Sequence, residues 1–176
     1  MRILLIGGSK SGKSSLAQDI VNKLACGSPK YYWATMEPAD HEDDERIEKH
    51  LLDREGMGFL TVERGRELLS GELPPKEASI LFDSVTAMLA NEMFTGGFDE
   101  AAPERTLGEI LALSEKSTHF VCVADELFRD GAAYDDTTEA YRRGLARVLR
   151  GLAERFDTVA EIVCGIPHFY KGGLPE

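Results

Sequence analysis

The sequence predicts an α/β domain: a mostly parallel sheet with helices on both faces. Three observations predict it. Short apolar runs alternate with helix-period segments along the whole chain. The first apolar run enters a glycine-rich turn and then an amphipathic segment. Several later apolar runs end in an acid or a small polar residue, as strands do where they meet a ligand edge. Alternation of this kind builds a sheet that is buried on both faces.

The elements follow in order. Arg2 to Ile6 reads as a buried strand, and Ser14 to Leu24 as a helix with apolar positions 16, 17, 20, 21 and 24. Between them lies Gly7-Gly8-Ser9-Lys10-Ser11-Gly12-Lys13-Ser14, the spacing G-x-x-x-x-G-K-S. A phosphate needs several backbone N–H groups aimed at one point, and bulky side chains would block its approach. Lys13 would reach the β- and γ-phosphates and the Ser14 hydroxyl would ligate Mg²⁺, with the helix dipole favouring the anion. The fold class is therefore P-loop NTPase-like. Tyr31 to Thr35 reads as a second strand, its aromatics as strand core. A charged helix is expected from about 40 to 54. Leu60 to Val62 is a short strand, followed by a helical stretch to about Leu69.

Pro74-Pro75 marks a loop. Ser79 to Asp83 is a strand ending in an acid, and Ser84 to Phe94 a helix broken by Gly96-Gly97. Pro103 to Lys116 is a helix with proline in its first turn. Phe120 to Ala124 is a strand, 127–136 a polar loop, Thr137 to Phe156 a long helix, and Val159 to Gly165 a last strand. Ligands in such sheets bind beyond the carboxyl ends of the strands. Gly7, Thr35, Asp83 and Asp125 would gather there. Asp83 would organise Mg²⁺ near Ser14. Asp125-Glu126 would either serve the site or cap the loop that follows.

Composition bounds the function. The chain has 176 residues, 43% apolar and 29% charged, with a formal charge of -11. One domain, 1–176, is expected. An acidic chain repels nucleic acid and anionic membrane, so neither is an expected partner. The three cysteines lack metal-ligand spacing and, in their odd number, fit a reducing cytoplasm. No run approaches the ~20 apolar residues that span a bilayer.

Arg46, His50 and Arg54 are spaced by four, so on a helix they share one side. Two guanidinium groups flanking an imidazole suit phosphate handling, the histidine attacking phosphorus or moving protons. A solvated helix with Glu42–Arg46 as an i,i+4 ion pair fits the same residues.

The combination resembles the bifunctional adenosylcobinamide kinase / adenosylcobinamide-phosphate guanylyltransferase family of cobalamin biosynthesis. The resemblance runs through the loop at 7–14, Ala34-Thr-Met-Glu-Pro-Ala-Asp40, Arg46-Ile-Glu-Lys-His50 with Arg54, Thr61-Val-Glu63, Ile80-Leu-Phe-Asp83 with Thr86 and Asn91, and Gly165-Ile-Pro167 with Lys171. It implies that His50 carries GMP taken from GTP and passes it to adenosylcobinamide phosphate. It implies that the same chain phosphorylates adenosylcobinamide with ATP or GTP. Ala34, Thr35, Met36, Arg54, Glu63 and Asp83 would contact the nucleotide, and the enzyme would be a cytoplasmic homotrimer. Glu126 to Tyr134 departs from the family's glycine-rich segment ending in Val-Pro, and Asp125 stands where the family usually has Asn. That departure keeps two other readings open: a small-molecule kinase without guanylyl transfer, and a nucleotide-binding regulator without turnover.

Overall fold

The computed structural model describes residues 1–37 and 56–174. Its strands are β1 (Arg2–Gly7), β2 (Lys30–Ala34), β3 (Phe59–Glu63), β4 (Ser79–Asp83), β5 (His119–Asp125), β6 (Thr158–Val163) and β7 (Ile166–Lys171). The helices are α1 (Lys13–Ala25), α2 (Val85–Phe94), α3 (Ala102–Glu115) and α4 (Asp136–Arg155). The sheet order is β3-β2-β4-β5-β1-β6-β7. All neighbours run parallel except β6 and β7, which form an antiparallel hairpin. This is the P-loop-type α/β architecture that the sequence predicts.

The period-2 pattern of the central strands fills two cores. Ile3 and Leu5 of β1, Leu81 of β4, and Val121 and Val123 of β5 pack with Ala17, Ile20 and Val21 of α1. Leu4, Ile80, Phe82, Phe120 and Cys122 face the other way, against α2, α3 and α4. Burial on both faces explains why these strands read as continuous apolar runs. Edge-to-face packing of Phe120 on Phe156, with centroids 6.0 Å apart, closes the helix side. The core is completed by Trp33, whose Nε1 donates to the Arg64 carbonyl at 2.9 Å.

Two expectations are corrected. The stretch after β3 is not helical but a run of turns to Ser70. Tertiary bonds take its backbone: the Arg64 carbonyl accepts from Trp33 Nε1, and Leu68 N–H donates to Glu109 of α3 at 2.7 Å. Gly65 packs beneath Asn91, where a Cβ would lie 2.3 Å from Nδ2. Second, the last strand ends at Val163, and a further strand, β7, folds back on it. The expected helix from 40 to 54 lies outside the described residues.

Thr35, fully buried just beyond β2, ties the β2 and β4 ends together. Its Oγ1 accepts from Ser84 N–H at 2.7 Å and donates to the Ser84 carbonyl at 2.8 Å, while Thr35 N–H donates to the Asp83 carbonyl. Thr35→Val keeps the shape and strands the buried Ser84 N–H, while the Ser84 carbonyl keeps its bond from Met88 N–H. We expect a stability loss of about 2 kcal/mol by urea unfolding, with an unchanged m-value.

Candidate nucleotide site at the carboxyl edge of the sheet

Gly7 ends β1 and is buried, Gly8, Ser9 and Lys10 are exposed, and Ser11 is half-buried. Gly12 caps α1 with φ 92°, a left-handed conformation that suits glycine. Lys13 and Ser14 open the helix. A side chain at Gly7 would meet Ser11 Oγ at 2.6 Å and the Ile162 carbonyl at 2.8 Å. The loop is therefore clamped between its own Ser11 and the neighbouring strand. Among the described residues Ser11 Oγ is buried without a hydrogen-bond partner, a feature suited to a loop whose polar atoms await a ligand.

The Lys13 ammonium lies back across the loop, 2.7 Å from Asp125 Oδ1 and 3.3 Å from the Gly8 carbonyl. Asp125 thus lies against the lysine of the loop. Its position is set by register and by a second element. Asp125 pairs with Gly7 across the ladder, and its N–H donates to Thr86 Oγ1 at 2.8 Å. Tyr141 of α4 donates to the Thr86 carbonyl at 2.9 Å. Burial, and secondarily the charge of Asp125, push the Tyr141 phenol up, so it stays a neutral donor at ordinary pH.

Asp83 closes β4 in register with Ala34 and Val123, and Tyr32 Oη donates to its Oδ2 at 2.9 Å. Sequence reading placed Tyr32 in the core; its ring is there, but its hydroxyl orients the acid. No alternation pattern could separate those two ends of one side chain. Among the described residues no three His, Cys, Asp or Glu side chains converge as a metal set. A Mg²⁺ ion held by Ser14 and Asp83 would take its remaining ligands from phosphate and water, the usual habit of that ion.

Ala34 and Glu63 are register partners, and Thr35 follows at the same edge. Met36 and exposed Glu63 line an open cleft of about 1080 Å³, walled further by Arg66, Asn91 and Phe98. Asn91 donates to the Thr35 carbonyl at 2.7 Å, which fixes that wall. Glu63 does not adjoin the phosphate loop. Four strand spacings separate β3 from β1, about 19 Å. His50 and Arg54, with Arg46, lie outside the described residues.

Beyond β1 on the other side, Arg129 makes a two-pronged pair with Glu161, with N–O distances of 2.6 and 2.9 Å, and Tyr170 donates to the same carboxylate. Tyr170 and Arg129 together hold the Glu161 carboxyl below the usual carboxylate range. The stabilisation is therefore present above the unfolded-state value near pH 4 and fades as pH falls through the lower folded value. Glu161→Gln should melt below the wild type at pH 7, with the gap narrowing as the pH is taken below about 4. Paired thermal scans across pH check this.

All three cysteines are free. Among the described residues no helix is long and apolar enough to cross a membrane.

The family model of cobinamide kinase / cobinamide phosphate guanyltransferase matches residues 3–169. The bifunctional adenosylcobalamin biosynthesis protein CobU of Salmonella typhimurium is 30% identical over 182 aligned positions, spanning 94% of this chain and 97% of that protein. The protein of the same name from Escherichia coli K12 is 36% identical over 107 residues, and that match spans 59% of this chain and 56% of the relative. In structure the chain is similar to a Pyrococcus horikoshii OT3 protein, with a TM-score of 0.57, 11% identity, and coverage of 97% of this chain and 86% of that one. At that identity the likeness concerns the fold alone.

Proposed function

From the premise that this chain belongs to the cobinamide kinase / cobinamide phosphate guanyltransferase family, we propose how its residues divide the work of a nucleotide-dependent transferase of corrinoid assembly. The observation that carries the reading is the family match across residues 3–169, joined to a clamped phosphate loop whose lysine is held ready beside Asp125.

In the kinase step, the backbone of 7–14 cradles the triphosphate of ATP or GTP, and Lys13 leaves Asp125 for the phosphate oxygens. The aminopropanol hydroxyl of adenosylcobinamide attacks the γ-phosphorus. The bond to the β-phosphate oxygen breaks, and the hydroxyl proton passes to solvent or a base. Lys13 offsets the charge that builds on the leaving diphosphate. Ser14 and Asp83 are the residues that would hold Mg²⁺, which supplies further charge neutralisation when bound.

In the guanylyl step, a His50 ring nitrogen attacks the α-phosphorus of GTP and pyrophosphate leaves. A phosphate oxygen of adenosylcobinamide phosphate then attacks the same phosphorus, the N–P bond breaks, and the histidine is restored. Two displacements replace one. Arg54 contacts phosphate, while Ala34, Thr35, Met36 and Glu63 face the guanine nucleotide. The main chain and Oγ1 of Thr35 are engaged with Ser84, Asp83 and Asn91, so its part is to hold that wall in place. A cytoplasmic homotrimer completes the proposal; the unpaired cysteines favour the compartment, and sedimentation velocity tests the trimer.

The test is label transfer. Incubation with α-³²P GTP should give an acid-labile, alkali-stable adduct that maps to His50 and is chased by adenosylcobinamide phosphate. His50→Ala should take up none. Equal labelling of the variant would remove the histidine carrier. Corrinoid phosphorylation without any label would leave a kinase alone.

A further inference from the structure

The phosphate loop leaves a bound nucleotide two ways to lay its base along the sheet edge. One runs over β5, β4 and β2 towards Glu63, about 19 Å away. The other runs over β6, a single strand spacing away. On that side the structure is built against the loop. The β6–β7 turn is a two-residue hairpin, with Cys164 at φ 51° and Gly165 at φ 79°, the twist favoured for tight hairpins. Gly165 N–H donates to the Ser11 carbonyl at 2.8 Å. A Cβ on Gly12 would lie 3.3 Å from Gly165 Cα. Turn and cradle are one packed unit.

Val163 and Ile166 are register partners closing that turn, so their side chains share a face. They are 43% and 62% exposed, unusual for two branched apolar residues beside a polar loop. Glu161 lies two residues before Val163 on the same face, and its pairing with Arg129 and Tyr170 rims the ledge. An apolar ledge with a guanidinium and a phenol at its border suits a flat aromatic ring.

Resting on the kinase reading above, we propose that the Val163–Ile166 ledge seats the purine ring of the phosphoryl donor whose phosphates occupy the loop. The donor base then lies on the β6 side, and the guanine of the guanylyl step on the Glu63 side. One phosphate loop serves both chemistries because each of its two flanks gives a base its own seat. A second copy of the chain is the competing occupant, since β7 is an edge strand.

The experiment compares ATP with inorganic tripolyphosphate, which carries the phosphates without a base. Calorimetry with Mg²⁺ on the wild type and on Val163→Ser/Ile166→Ser gives both affinities, and sedimentation gives the mass. We expect ATP binding to weaken about tenfold, the scale of one stacked base. Tripolyphosphate binding, labelling from GTP and assembly mass should stay unchanged. Retained tripolyphosphate binding also reports an intact fold. Equal ATP affinity in the two proteins, an equal fall for ATP and tripolyphosphate, or a lower assembly mass with unaltered ATP binding would each overturn the seat. Failure of the wild type to bind tripolyphosphate at all would overturn the phosphate-loop reading itself, and the seat with it.

Discussion

Lys13→Ala should lower corrinoid phosphorylation by about 10²–10³-fold, the scale for removing one preorganised charge at a reacting oxygen. The reason lies in what the ammonium does at rest and at work. It is buried at the start of α1, bonded to Asp125 and the Gly8 carbonyl. Moving from a carboxylate to a triphosphate exchanges one set of charge-assisted bonds for another, so little is spent on desolvation. Alanine cannot make the exchange. It also leaves the Asp125 carboxylate facing the γ-phosphate with no cation between them, and like charges there would weaken nucleotide binding as well. Asp125→Asn provides the companion measurement. It frees Lys13 and removes the repulsion, so nucleotide affinity should rise while the fold persists. Initial rates and nucleotide titrations check both variants. A Lys13→Ala enzyme within fivefold of the wild type would end the assignment.

Gly7→Ala should damage the site by a different route. Its Cβ would sit 2.8 Å from the Ile162 carbonyl, a backbone atom that cannot swing away, and 2.6 Å from Ser11 Oγ. Relief requires β1 and β6 to part or the loop to shift. Overpacking of this kind costs about 1–3 kcal/mol. The same shift opens the contact between Gly165 and Ser11, so nucleotide affinity should fall together with stability. Urea unfolding and calorimetry on one preparation test the coupling. Gly8→Ala is the control, because none of the described residues lies within 4 Å of a Cβ there. It should be near the wild type in stability. If both substitutions behave alike, the clamp has no role.

Much of this was legible in the residues. The loop, its strand and its helix were readable because the motif forces glycine, lysine and serine into a fixed spacing. The central strands were readable because burial on both faces leaves uninterrupted apolar runs such as Ile80-Leu81-Phe82 and Phe120-Val121-Cys122-Val123. The two failures have different causes. Residues 64–70 have a helical pattern, yet Trp33, Glu109 and Asn91 claim their backbone from elsewhere in the chain. β7 was missed because it is exposed along nearly its whole length and carries a proline, so no period marks it.

Local spacing thus determined the fold class, the phosphate cradle and the family to which the chain belongs, since each rests on residues close in sequence. Which acid meets Lys13, which hydroxyl turns Asp83, and which turn braces the cradle were decided only on folding. Those contacts join residues 51 to 154 positions apart, and their distances depend on strand order and register, which no local pattern encodes.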